Sequence, residues 1–185
     1  MAKVQDVVDF FVDTAQKKAE MQSGDLVTNL RLQKLLYFAQ GWYLARYGKP
    51  LFEDDMLCWK YGPVVRTVYD KYKDRGKTGI ENNYAFDRSV LSKDEFELLL
   101  DVLMAYDGKA TSALVDISHG LDTPWSNTGA GEVITKEALK SYFSELKPLP
   151  SYMDKIKNLK VIVPKRNEKG QPIVKRSDWE ACDGD

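Results

Sequence analysis

The segment Leu30–Gly48 limits the possible folds of this chain more than any other stretch. Its apolar residues form one stripe at the i, i+3, i+4 spacing of a core-facing helix, and further apolar residues occupy much of the opposite side. The stripe consists of Leu32, Leu35, Leu36, Ala39 and Tyr43, and the opposite side carries Leu30, Tyr37, Phe38, Leu44 and Ala45. A helix that is apolar on most sides is buried on most sides. The segment therefore predicts a central helix with other elements packed around it. Thr28 or Asn29 can cap this helix, and Gly48 with Pro50 ends it.

Lys34 interrupts this apolar pattern. On a helical wheel it lies close to Leu30 and to Gly41, whose lack of a side chain lets another backbone or a ligand approach. A lysine in this position either takes part in a site or extends its stem along apolar surface and keeps its amine in water. The residue pattern leaves both interpretations open.

The segments outside this helix predict four or five more helices. Apolar periodicity predicts a first helix over roughly residues 3–20. Ser92–Glu95 is a capping box that opens another helix, and Thr111 or Ser112 begins a shorter one. Thr135 is a suitable N-cap for the last helix.

The chain between the central helix and the capping box contains a short aromatic segment and a constrained turn. Met56–Tyr61 is typical of a short strand or extended segment. Gly62 and Pro63 turn the chain and place Pro63 at the first position of a new helix, where its missing N–H has no cost. The whole pattern predicts a mainly α fold, a compact domain of five to six helices around a buried central helix with a short strand or extended segment.

With 185 residues, the chain is long enough for one domain with a buried core. We predict that this domain covers residues 1–147 and that residues 148–185 are a basic C-terminal extension. In the extension, the β-branched runs Val161–Val163 and Ile173–Val174 flank a turn-like segment and predict a loose hairpin.

Composition excludes several classes of protein. The formal net charge of −1 gives no global attraction to nucleic acid or to anionic membranes. No apolar run approaches the ~20 residues that span a bilayer, and the first residues do not resemble a secretory signal peptide. Two distant cysteines and one histidine favour neither a disulfide framework nor a zinc site. We expect a cytoplasmic protein with no cofactor and no membrane contact.

The residue patterns of common catalytic sites are missing. No nucleophile elbow, zinc-protease motif, P-loop or Rossmann glycine fingerprint occurs. A Cys58–His119 dyad is conceivable, because separation in sequence does not exclude contact. The favoured interpretation is a buried structural thiol and a histidine whose ring nitrogens are hydrogen-bonded near a helix end. We therefore expect a protein without enzymatic activity.

Three clusters are unusual for a purely structural helical core. The first is Lys34 with Tyr37, one helical turn apart. The second is Trp59–Val65, with two large aromatic residues directly before a constrained turn, and the third is Ser118–His119 followed by Pro124–Trp125. Each cluster also has a simpler explanation, in which the aromatic rings pack in the core and Gly and Pro shape turns.

The clusters belong to longer motifs, which occur in the order LQKLLYFAQGWYLARYGKPLF, WKYGPVVRTVYDKY and SHGLDTPW. In this order and spacing they resemble the Panacea domain, a family that includes phage-associated GepA-like proteins and SocA-like antitoxins. The resemblance covers roughly residues 5–145 and implies a compact, mostly helical domain. It implies no catalytic role for the matching positions. These residues belong to the hydrophobic core, form a shared toxin-binding surface, or do both. These positions are Lys34, Tyr37, Trp42, Trp59, Tyr61, Gly62, Pro63, Tyr69, His119, Pro124 and Trp125.

The resemblance implies the antitoxin half of a type II-like toxin–antitoxin system, which neutralises the toxin encoded by the adjacent gene through direct protein binding. An alternative is the mode of SocA-like members, which deliver their toxin to the ClpXP protease as proteolytic adaptors. Nucleic-acid binding through the basic extension is less favoured, because no helix-turn-helix or zinc pattern is present. In either protein-binding mode, we expect Lys34→Ala to reduce toxin neutralisation more than thermal stability.

Overall fold

The computed structural model describes residues 1–22 and 24–157, and Met1–Tyr152 form one compact unit. In chain order the elements are α1 (Val4–Gln22), α2 (Asn29–Tyr47), β1 (Met56–Trp59), β2 (Gly62–Val65), α3 (Arg66–Tyr72), α4 (Lys93–Tyr106), α5 (Thr111–Ser118), β3 (Val133–Ile134), α6 (Lys136–Glu145) and α7 (Tyr152–Lys157). The predicted mainly α fold is confirmed. The described ranges contain seven α-helices against the five to six expected, because the short α7 lies in the segment assigned to the extension.

The predicted division of the chain at residue 147 stays a prediction. Leu149, beyond that boundary, packs against the core of the compact unit. The hairpin predicted over Val161–Val174 lies outside the described residues.

The central position of α2 is confirmed by its burial. Every residue from Leu32 to Leu44 is buried, so the helix is enclosed on nearly all sides. Leu30 differs from the prediction with 40% exposure, because it lies in the first turn of the helix, at the edge of the core.

Helix α6 lies against α2 at Gly41. A Cβ atom at Gly41 would overlap the ring of Phe143, so the missing side chain lets this ring reach the α2 backbone. The Phe143 ring also makes edge contacts with Tyr37, Phe38 and Trp42. At Gly41, the group that approaches the backbone of α2 is therefore the aromatic ring of Phe143 from α6.

The predicted helix ends are formed by hydrogen bonds. The Thr28 hydroxyl accepts a backbone N–H of the first turn of α2, and Gly48 ends the helix in the left-handed conformation. Ser92 and Glu95 form the predicted capping box of α4, and Thr135 caps α6. These local interactions set the helix boundaries that the residue pattern predicts.

Two buried glutamines of α2 hold neighbouring backbone segments in place. Oε1 of Gln33 accepts the N–H of Val65 at 2.8 Å. Oε1 of Gln40 accepts the N–H of Leu51 at 2.8 Å, and its amide donates to the carbonyl of Phe52 at 2.9 Å. These hydrogen bonds fix strand β2 and the segment that follows α2 against the central helix.

The strands form a small antiparallel sheet in the order β2-β1-β3. The predicted strand corresponds to β1, but the placement of Pro63 at a helix start is wrong. Pro63 lies in β2, and the helix begins at Arg66. Cys58 of β1 is the residue opposite Pro63 in the sheet. Its N–H donates to the carbonyl of Glu132, on the side of β1 away from β2. Because β2 is an edge strand, the missing N–H of Pro63 removes no ladder hydrogen bond.

None of the helices in the described part of the chain combines the length and the apolar character needed to cross a membrane.

Candidate functional site

The tip of the β1–β2 hairpin covers the end of the Lys34 side chain. Gly62 follows the exposed turn residues Lys60 and Tyr61 and has a φ of 101°, a conformation that favours glycine. A Cβ atom at Gly62 would overlap Nζ of Lys34 and lie 2.9 Å from Nε2 of His119. The hairpin, α2 and the end of α5 therefore meet at one point. We call Lys34, Gly62 and His119 the convergence site.

Lys34 contributes a buried amine to the convergence site. Its side chain is 0% exposed, and Nζ donates one long hydrogen bond, 3.4 Å, to the carbonyl oxygen of Pro63. Burial lowers the pKa of Lys34 to about 7, because the ammonium loses its hydration without gaining an anionic partner. At neutral pH the amine is therefore only partly protonated.

His119 contributes an imidazole ring that lies against Trp125. The two rings are stacked with their centroids 3.8 Å apart, and the buried Nε2 has no hydrogen-bond partner among the described residues. Burial lowers the pKa of His119, and the nearby charge of Lys34 lowers it further, whereas Asp116 opposes the shift. The prediction that both ring nitrogens are hydrogen-bonded is therefore wrong for Nε2.

Two tryptophans connect the hairpin to the segment after α5. The indole Nε1 of Trp125 donates to the backbone carbonyl of Trp59 at 2.8 Å. Trp59 packs edge-on against Tyr69 of α3, with ring centroids 5.0 Å apart. Pro124 is buried beside this connection. The structure thus brings the second and third sequence clusters together at the end of the Lys34 side chain.

Tyr37 and Trp42 have separate surroundings in the core. Tyr37 packs against Phe143 of α6, and burial raises the pKa of its hydroxyl, which has no hydrogen-bond partner among the described residues. The indole Nε1 of Trp42 donates to the hydroxyl of Tyr106 at 3.0 Å. These two positions of the motif therefore contribute to the contacts of α2 with α4 and α6, away from the contacts that Lys34 makes.

Cys58 has the surroundings of a structural thiol. Its Sγ donates to the carbonyl oxygens of Trp125 at 3.4 Å and of Thr128 at 3.3 Å. Burial raises the pKa of the Cys58 thiol, and the charge of Glu132 raises it further, so the reactive thiolate is disfavoured. The described residues contain no hydrogen bond between Cys58 and His119. Among them there is also no group of three or more histidine, cysteine, aspartate or glutamate side chains arranged to hold a metal ion.

Three exposed apolar side chains belong to residues that lie close in the chain to members of the convergence site. Tyr61 is 65% exposed, Ile117 is 40% exposed and Leu121 is 94% exposed. Tyr61 directly precedes Gly62, whereas the other two lie two residues before and after His119. We call these three side chains the flanking patch.

The sequence interpretation included Tyr61 but missed Ile117 and Leu121. A signal for Leu121 is present, because this large apolar residue stands between Gly120 and Asp122 in a turn and fits no helix or strand periodicity. Ile117 has no comparable signal, since its position on α5 is equally consistent with a core-facing residue.

Comparison with known proteins gives the same family as the motifs. The family model "Antitoxin SocA-like, Panacea domain" matches residues 32–126, a range that contains every matching position of the three motifs. A curated relative, Antitoxin SocA of Caulobacter vibrioides (strain NA1000 / CB15N), is 33% identical over 136 residues, which cover 63% of this chain and 72% of the relative. No solved structure shows a significant match. The chain belongs to the family of SocA-like antitoxins with a Panacea domain.

Proposed function

We propose that this protein is an antitoxin that neutralises the toxin encoded by the adjacent gene by binding directly to it. One observation carries the proposal: the three family motifs converge on one site, and residues next to that site in the chain expose apolar side chains. The family and the relative named an antitoxin support the same role. In this proposal the toxin binds to the flanking patch.

The flanking patch has the properties of a protein-binding surface. Tyr61 and Leu121 extend large apolar groups into water, and the burial of such groups, tyrosine above all, contributes strongly to binding free energy. The hydrogen bond from Trp125 to Trp59 holds the two chain segments that carry them together.

The proposal assigns no catalytic step to the chain. Burial raises the pKa of the Cys58 thiol, which donates to two carbonyls, and the amine of Lys34 lies beneath the hairpin.

Co-expression tests the proposal directly. The adjacent gene is expressed alone and together with this protein, and growth is measured in both cases. We expect growth arrest with the adjacent gene alone, recovery in co-expression, and a complex of the two proteins that survives size-exclusion chromatography. A harmless adjacent gene, or arrest that persists without complex formation, would contradict the proposal.

Toxin lifetime distinguishes masking from adaptor-mediated degradation. Masking predicts that the toxin is stable in the complex and that its half-life after a block of translation is unchanged or longer. A half-life that becomes shorter in the presence of this protein, and recovers in cells without ClpXP, would instead indicate a proteolytic adaptor.

A further inference from the structure

Lys34 and His119 form a basic pair that makes no salt bridge within the described residues. Nζ of Lys34 has a single carbonyl acceptor at 3.4 Å, and Nε2 of His119 has none among the described residues. A buried cation without a counter-charge is costly, and a buried polar atom without a hydrogen bond adds to that cost. The chain thus maintains an unfavourable arrangement at the point where its family motifs meet. Such local costs concentrate at functional sites.

The charged groups around the pair do not remove this cost. The carboxylate of Asp116 on α5 is the acidic group that acts on His119, and it is exposed to solvent. At this point β2 contributes only the uncharged Gly62 and Pro63, and the segment after α5 contributes the ring of Trp125. The pair consequently has two buried nitrogens, beneath the hairpin tip, whose hydrogen-bonding capacity is not used within the described residues.

We propose that Lys34 and His119 are the receptor for a carboxylate side chain of the bound toxin, an inference that rests on the proposed function. Both nitrogens border the same point, the position of the missing Cβ atom of Gly62. A carboxylate has two oxygens and accepts one hydrogen bond from Nζ and one from a protonated Nε2. A toxin bound to the flanking patch would exclude water from the ion pair in the complex.

The carboxylate enters where the hairpin tip now covers Lys34. The tip consists of exposed residues, Lys60 and Tyr61, beyond the last pair of the β1–β2 ladder, Trp59 with Gly62. Glycine permits a change of φ at this position without a side-chain clash. When the toxin binds Tyr61, the tip moves outward and opens a path beside His119, which is partly exposed.

Proton uptake during complex formation tests the receptor. The toxin is titrated with the wild-type protein by isothermal calorimetry at pH 8 in phosphate and in Tris, two buffers with different heats of ionisation. Because the pKa of Lys34 is about 7, most of the amine is neutral at pH 8 in the free protein. A bound carboxylate favours the ammonium form, so we expect an uptake of about one proton per complex.

Two variants separate this receptor from a merely structural pair. Lys34→Met removes the amine but keeps an unbranched apolar side chain, and Lys93→Met removes an amine whose side chain is 81% exposed on α4. We expect Lys34→Met to abolish the proton uptake and to weaken binding about tenfold to hundredfold, and Lys93→Met to change neither. Thermal denaturation of each variant checks that it is folded.

The possible outcomes distinguish a failure of the carboxylate receptor from a failure of the proposed antitoxin function. If the wild-type protein binds the toxin without proton uptake, or if folded Lys34→Met binds with wild-type affinity, the receptor is wrong and the antitoxin function stands. If the wild-type protein does not bind the toxin at all, the proposed function fails and the receptor with it.

Discussion

At Gly62, two separate constraints act against any side chain. The φ of 101° is unfavourable for other residues, and a Cβ atom would overlap the amine of Lys34. Gly76 also has a positive φ, of 54°, but a Cβ atom there would have no neighbour within 4 Å. Substitutions at these two glycines can therefore distinguish the effect of backbone strain from the effect of side-chain overlap.

We expect Gly62→Ala to lower the free energy of unfolding by about 2–4 kcal/mol, since strain and overlap both contribute. In Gly76→Ala only the backbone strain contributes, so the free energy of unfolding should fall by about 1 kcal/mol. Urea denaturation of both variants measures the difference. Equal losses in the two variants would mean that the close approach of Lys34 to the hairpin has no energetic effect.

The buried amine of Lys34 makes stability depend on pH. Its pKa is about 7 in the folded protein against 10.5 for an ordinary lysine, so the unfolded state binds more protons between these two values. The cost of burying the charge is fully present below pH 7 and decreases as the pH rises toward 10.5.

We therefore expect Lys34→Met to be more stable than the wild-type protein at pH 6, on the order of 1–4 kcal/mol in the free energy of unfolding. The difference should shrink steadily toward pH 10. Urea denaturation of both proteins at pH 6, 8 and 10 provides the measurement, with Lys93→Met as the control that shows no such trend. A variant less stable than the wild type at pH 6 would contradict an unpaired buried charge.

At the scale of the secondary-structure elements, the contact between α2 and α6 depends on Gly41. The Phe143 ring occupies the place of the missing Cβ atom and contacts three aromatic rings of α2. The helix propensity of alanine would favour a substitution at Gly41, whereas the ring excludes it. Tertiary packing thus outweighs local propensity at this position.

We expect Gly41→Ala to lower the free energy of unfolding by about 1–2 kcal/mol, because overpacking exceeds the gain in helix propensity. Gly108→Ala is the matched control, since no atom lies within 4 Å of its added Cβ, and it should change stability by less than about 0.5 kcal/mol. In the background of Phe143→Leu, the loss caused by Gly41→Ala should become smaller. An unchanged loss in that double variant would show that α6 does not determine the effect.

At the scale of the whole molecule, the core and the flanking patch have separate roles. The core encloses α2, whereas Tyr61 and Leu121 are exposed at the surface beside the convergence site. Removal of exposed side chains usually changes stability little, but it removes contact area from an interface. Binding and stability should therefore respond differently to changes in the patch.

We expect the double variant Tyr61→Ala, Leu121→Ala to keep its melting temperature within about 2 °C of the wild-type value. In the co-expression assay it should lose most of its neutralising activity. Met21→Ala is the control, because Met21 is 80% exposed and belongs to α1, outside the three motifs. Full neutralisation by the double variant would place the toxin-binding surface elsewhere on the molecule.

Local pattern was sufficient to predict α2, its burial and most of the helix ends. These features depend on neighbours along the chain: the apolar periodicity of Leu32–Leu44 and the caps at Thr28, Ser92 and Thr135. The motifs also predicted the family, because their order and spacing are properties of the sequence. For Pro63, local pattern predicted the wrong element, since a proline fits the start of a helix and an edge strand equally well.

Only the tertiary structure decided what the buried lysine of α2 contacts. The sequence by itself determined that Lys34 lies on an apolar helix, but the hairpin places Gly62 over its amine and α5 places His119 beside it. The missing counter-charge, the lowered pKa of Lys34 and the exposure of Leu121 all follow from that arrangement. Desolvation and electrostatic interaction depend on distances in space between residues that are far apart in the chain, and no local pattern contains those distances.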